Sequence, residues 1–220
     1  WHVDHWWLWL LVMIVQDFGF YWHHRLSHKI RLFWTGHVNH HSATHLSLAI
    51  ALRQGWFEIA YRDIWYIPFI LIGFHPIMMV MMHQMNLIFQ FWPHTDAIGK
   101  LGWFDKVFNS PSNHRVHHSR RIEDFDKNYG GILMLWDHLF GTYKAEEQKT
   151  SEYGILHNIS TYNVFHIVFD EFRDMVQDVK KAPDWKAKLR YVFKAPGWKH
   201  DGKDERIATL QRELKERKTS

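Results

Sequence analysis

Three histidine clusters carry the chemistry that this sequence is able to do. HRLSH holds His24 and His28, HVNHH holds His37, His40 and His41, and HRVHH holds His114, His117 and His118. On a helix, positions i, i+3 and i+4 share one face. HxxxH therefore aims two imidazoles at one point, and HxxHH aims three. Neutral imidazole suits zinc, copper, iron or nickel. With 19 histidines in 220 residues, an HxxHH string is expected by chance roughly 0.14 times, yet two are present. A single such pair is more often a histidine-rich surface or a hydrogen-bonded core, but three clusters together read as a metal centre. A catalytic zinc takes three protein ligands and an open position, so eight or nine imidazoles fit two ions better than one. All-imidazole sites between aromatic segments are poor for simple hydrolysis and good for iron that must activate dioxygen.

The stretch HQMNLIFQFWPHTD adds His83, Gln90 and His94. His83 and His94 share a helix face but stand about 16 Å apart along its axis, too far to join the same small cluster. His94, nearer the other clusters, is taken as the ninth ligand. Gln90 is a supporting group or weak ligand one turn back, and His83 is a core residue or a further supporting group. Ligand histidines need an acceptor on the other ring nitrogen. Asp17, Asp96, Asp126, Asp137 and Asn128 lie near the clusters and are the candidates, each equally readable as a cap, a turn or a surface charge.

The elements that must hold these residues are apolar and aromatic. Hydrophobic residues make up 46% and aromatics 17%, with 13 Trp, which argues against a disordered chain. The absence of cysteine excludes disulfide scaffolds, Cys-zinc sites, iron–sulfur sites and cysteine nucleophiles. A net charge of +4 with no compact Lys/Arg stripe argues against nucleic acid. Residues 6–22 are almost wholly apolar, about 25 Å as a helix, marginal for a bilayer span. Residues 64–82 are apolar but broken by Pro68 and Pro76, with a turn near Gly73; residues 77–92 can form one helix. The segment is thus a tight helical hairpin or a re-entrant loop. Lys and Arg are absent from 64 to 99, so the positive-inside rule puts the Gly73 turn outside and residues 23–53 and 100–220 on the inner face. Residues 99–150 read as short helices and loops, 162–180 as an amphipathic helix and 201–220 as a charged, solvated helix. The expected fold is all-α: integral membrane helices with a cytosolic, histidine-rich helical cap holding a di-metal centre. Residues 1–160 form the catalytic domain and 161–220 a helical tail. The chain starts at Trp1 rather than Met and is read as a piece of a longer protein.

DFGFYWHHRLSH, GHVNHHS, ALRQ, NLIFQFWPHTD, FNSPSNHRVHH, DKNYGG and LWDHLFGTY together resemble the fatty acid hydroxylase superfamily, also called the sterol desaturase family, nearest its alkylglycerol monooxygenase-like branch. The resemblance implies an integral membrane enzyme with a non-haem di-iron centre on the cytosolic face. Such an enzyme hydroxylates or desaturates lipid C–H bonds with O2 and reducing equivalents. It implies His24, His28, His37, His40, His41, His114, His117 and His118 as iron ligands, with His94 as a ninth. The sequence departs from that branch at Lys29, Thr44, His45 and Leu46, which leaves the electron donor open between a pterin and a reductase or cytochrome chain.

The expected function is therefore a membrane di-iron lipid hydroxylase. Its expected partners are a lipid substrate, the bilayer and an electron-transfer partner. The alternatives are a lipid or sterol desaturase on the same centre, or, in a different class, a zinc hydrolase or a metal-binding or transport protein.

Overall fold

The protein is described by a computed structural model over residues 4–219, and its regular elements in that range are all helices joined by loops. No strand forms among the described residues; two isolated bridges, Phe108 with Leu133 and Ser119 with Tyr153, pin loops. Helix α1 (Trp6–Lys29) and helix α2 (Arg31–His41) meet at Ile30, whose extended backbone ends one and starts the other. The first N–H of α2, which has no partner within the helix, donates from Arg31 to the Lys194 carbonyl at 3.0 Å. Short pieces follow: a 3-10 turn at Leu48–Leu52, helix α3 (Trp56–Tyr61), a second 3-10 turn at Arg62–Tyr66 and helix α4 (Ile67–Leu71). Helix α5 (Pro76–Phe91) begins with proline at its first position, where the missing N–H costs nothing, and His75 caps it by accepting from Ile77. Helices α6 (Phe104–Val107), α7 (Pro111–His118) and α8 (Leu135–Leu139) are short. Helices α9 (Val164–Lys181), α10 (Trp185–Phe193) and α11 (Ile207–Thr219) close the chain.

The apolar core lies between α1, α5 and the turn before α4, where Leu8, Val12, Tyr66, Phe74, Met78 and Met79 pack together. α2 packs on α1, α3, α9 and α10. The C-terminal helices are tied down by charge. Arg31 donates to Glu171 at 2.7 Å and to Asp178 at 2.6 Å, and Lys199 also reaches Asp178 at 2.9 Å. α9 starts at an Asn163 cap and α10 at an Asp184 cap, each accepting from a backbone N–H three residues on. α11 buries none of its residues, although Gln211 donates to the carbonyls of Ile122 and Phe125.

The sequence led to an expectation of membrane-spanning helices, but among the described residues none is long and apolar enough to cross a membrane. The physical reasons are visible. α1 has 24 residues, but its last turns are the polar HHRLSHK. α5 has 16 residues, about 24 Å, against a hydrocarbon layer of about 30 Å. The arm before it is divided into a 3-10 turn and the five-residue α4.

Candidate metal centre

All three histidine clusters lie on helices, and each helix directs its i, i+4 pair to one place. α1 supplies His24 and His28, α2 supplies His37, His40 and His41, and α7 supplies His114, His117 and His118. α7 is started by a Ser110 cap and Pro111, which sets the phase of its three histidines. His94 follows α5 and turns inward by donating from Nδ1 to the carbonyl of Gln90, 2.8 Å away.

The nine rings form two buried groups. His24, His28, His37, His41 and His117 make one, and His40, His94, His114 and His118 make the other; within each, the ligand atoms lie within 4.8 Å of one another. The groups abut where His41 and His118 stack, with ring centroids 4.3 Å apart.

The ring nitrogens divide into tethered and bare. The Nδ1 of His24 faces the Tyr129 carbonyl at 2.9 Å, that of His40 the Ile50 carbonyl at 3.1 Å, and that of His117 the Lys127 carbonyl at 2.9 Å. A carbonyl only accepts, so each of these Nδ1 atoms carries the proton and each Nε2 keeps a lone pair. His94 Nε2 lies 3.2 Å from His40 Nε2. Both of these rings have Nδ1 on a carbonyl, so two lone pairs face each other, an arrangement that a cation between them relieves and a hydrogen bond cannot. His24 Nε2, His28 Nε2, His114 Nδ1 and His118 Nε2 are buried with no hydrogen-bond partner. Burial, followed by the neighbouring histidines, holds His41, His114 and His118 well below the ordinary imidazole value. Burial pushes His94 down to about 4 and His117 to about 3. Neutral rings with inward lone pairs are the donor set that a borderline transition metal takes, so the residues present fit two ions.

The residues expected to support the ligands are placed as follows. Asp126 stands 3.8 Å from His28 Nδ1 and is held by Lys29 at 2.5 Å and by the Tyr129 hydroxyl at 3.1 Å. Gln90 serves through its carbonyl to His94, while its side chain donates to Asn86. Asn128, with φ 57°, organises the loop that presents the Lys127 and Tyr129 carbonyls; its side chain bonds Asn113 and Lys144. Asp137 accepts from the N–H groups of Tyr129 and Gly130 in the same loop, at 2.8 and 2.7 Å. Asp17 accepts from Ile132, Leu133, Trp136 and Asn86. Asp96 accepts from Tyr153. His83 accepts from Tyr66 and lies away from both groups. Asp17, Asp96, Asp137, Asn128 and His83 thus bond no ring of the nine.

One supporting side chain escaped the sequence reading. Glu58, on α3, lies 3.2 Å from His37 Nδ1. An acid just before an apolar segment was its only signal. Burial opposes ionisation of Glu58, but His37 and His23 outweigh it and hold the carboxyl below its ordinary value. On α7, Arg115 is fully buried between the histidines and forms a paired contact with Glu146, 2.7 Å at both oxygens. A cavity of about 450 Å³ reaches His28 past Trp34, Val38, Phe125 and Ile155, a volume in the range of small-molecule sites.

An all-helical protein with a buried, two-part histidine centre is the class that this fold and site define. The chain belongs to the fatty acid hydroxylase family, whose model matches residues 9–142. Among its curated relatives, alkylglycerol monooxygenase from Homo sapiens is 39% identical over 193 residues, covering 87% of this chain and 43% of the relative. Ornithine lipid hydroxylase OlsE from Rhizobium tropici is 28% identical, covering 64% of this chain and 43% of the relative. Delta(7)-sterol 5(6)-desaturase erg3C from Aspergillus fumigatus is 28% identical, covering 66% and 52%. The chain thus spans less than half the length of the alkylglycerol monooxygenase it matches. No solved structure matches it.

Proposed function

We propose that this chain carries the catalytic centre of a membrane lipid hydroxylase, with the nine histidines holding two iron ions. The observation that carries the reading is the pair of buried histidine groups, whose tethered Nδ1 atoms leave Nε2 lone pairs facing inward and facing one another. When bound, the iron pair would supply O2 activation and insertion of oxygen into a lipid C–H bond, with electrons from an external donor, either a pterin or a reductase or cytochrome chain. The chain's own residues hold the ligand rings in one tautomer, bury them from water and leave the cavity beside His28 as a path for a small reactant. The names of the relatives support a lipid substrate. We assign no nucleic-acid partner.

The reading places the protein in a bilayer, with the metal centre on the cytoplasmic face. Exposed apolar side chains support this. Trp6, Leu10 and Ile14 form a stripe on α1, and Ile77, Met81, Met85 and Ile88 form one on α5. Contiguous apolar patches of this kind mark membrane or interaction surfaces.

The test is incubation of iron-loaded protein with a lipid extract and a reductant, with and without oxygen, read by mass spectrometry. A product one oxygen heavier, formed only in air, is expected. A product lighter by two hydrogens would instead support a desaturase, the reading that the sterol desaturase relative favours. Full turnover without oxygen, as a zinc hydrolase would give, would overturn both.

A further inference from the structure

His37 differs from its neighbours in what holds it. His24, His40, His94 and His117 give their Nδ1–H to neutral backbone carbonyls. His37 gives its Nδ1–H to the Glu58 carboxylate at 3.2 Å, and the other oxygen of Glu58 lies 3.6 Å from His23 Nε2. Glu58 is only 5% exposed. The other acid nearby, Asp126, stands 3.8 Å from His28, beyond hydrogen-bond reach, and is claimed by Lys29 and Tyr129. Among the described residues, no carboxylate bonds His40, His94, His114 or His118. The two carboxylates that approach ligand rings, Glu58 and Asp126, are therefore both on the five-histidine side.

This placement is built into the backbone. α2 and α3 cross with almost nothing between them. A Cβ on Gly55 would stand 1.9 Å from the Gly36 carbonyl oxygen, and one on Gly36 would stand 2.9 Å from the Glu58 nitrogen. Two residues without side chains let the main chains touch, which brings Glu58 onto His37, the residue after Gly36. The Tyr61 hydroxyl locks the crossing by donating to the Phe33 carbonyl at 2.8 Å.

We propose that Glu58 is a positioning residue that makes the two halves of the centre unequal, so that the five-histidine half binds its ion more tightly and fills first. This rests on the reading of both groups as metal sites. A carboxylate behind a ligand histidine fixes the ring and raises its basicity. A charge-assisted hydrogen bond is also roughly twice as strong as a neutral one. The four-histidine half has only carbonyls to do the same.

The test is a titration of the chelator-stripped full chain with Co²⁺ alone, followed by visible absorption. The wild type should take up two ions in two resolved steps. Glu58→Gln keeps the shape and an acceptor oxygen but loses the charge; it should weaken the first step about 10- to 100-fold and leave the second unchanged. His40→Ala should lose the second step and keep the first, which assigns the steps even if the Glu58 variant does not fold; far-UV circular dichroism checks both variants. Two indistinguishable steps in the wild type would overturn the proposal. So would equal weakening of both steps, or wild-type uptake, in Glu58→Gln. No uptake by the wild type would overturn the metal-site reading itself, and this proposal with it.

Discussion

Two buried polar regions sit along α1, and they are built in opposite ways. At its middle, Gln16 donates to the Tyr66 hydroxyl at 2.9 Å, Tyr66 meets His83 Nδ1 at 3.0 Å, and Asn86 joins Gln16 and Asp17 at 3.0 and 3.1 Å. Donors there face acceptors, and His83 Nε2 is the one atom of this set left over. Toward its end, His24 and His28 enter a group whose nitrogens meet other nitrogens. Buried polar groups normally find partners within the protein. The first region obeys that rule and holds helices together. The second obeys it only if something positively charged completes it. Residue type does not separate the two, since His83 and His94 are both buried histidines of one segment. What separates them is whether the surrounding atoms complement the ring or duplicate it.

The comparison is broken most directly at the histidine centre. His117→Ala should abolish lipid oxidation in the iron-loaded protein, a larger loss than the roughly 10- to 100-fold typical of removing a group that merely orients a ligand. Product mass spectrometry measures it, and metal analysis should show less than the wild-type iron content.

Stripping the metal should come next in size. Each ion that binds only the folded state stabilises it by about 2.7 kcal/mol at a free concentration 100-fold above its dissociation constant. Thermal unfolding should therefore shift down on chelation and recover when ferrous ion is restored.

His83→Leu sharpens the contrast from the other side. It leaves the Tyr66 hydroxyl and the Gln16 amide short of an acceptor, at a cost of about 1–3 kcal/mol. Urea unfolding should show that loss while the metal content stays at the wild-type value. A fall in metal content would mean that the two regions are one.

The smallest effect concerns the loop that carries Lys127 to His117. Asp124 is bonded to Lys144 and Arg121, each at 2.6 Å. Burial raises its carboxyl, but these bonds and Ser119 outweigh it and hold the value below the ordinary 3.8. A depressed carboxylate stabilises the fold above its unfolded value, and that contribution disappears as pH falls through the folded value. Asp124→Asn should therefore lower the thermal midpoint at neutral pH, and the gap to the wild type should close below about pH 3.8.

Much of this was legible in the chain. The i, i+3, i+4 spacing announced helices for HRLSH, HVNHH and HRVHH, and all three are helical. Periodicity marked 162–180, and the helix runs Val164–Lys181. Proline marked the start of α5. Less legible was the extent of α1, which continues through the polar HHRLSHK because its buried face is formed by histidine and serine rather than by apolar residues. The acceptors were also hidden, because most are backbone carbonyls of Ile50, Gln90, Lys127 and Tyr129, and a carbonyl has no signature in residue type.

By itself the sequence determined that imidazoles would stand in pairs on helix faces, since a period of 3.6 residues puts i and i+4 together whatever surrounds them. Only the tertiary structure decided how those pairs were shared out. His24 with His28, and His37 with His41, went to one group and His114 with His118 to the other, while His40 and His117, the odd members of their clusters, each crossed to the group opposite their own pair. Helix geometry is local and is written in spacing. The angle at which α1, α2 and α7 meet is set by packing, as is the α2–α3 crossing where two glycines let main chains touch, and no local pattern encodes either.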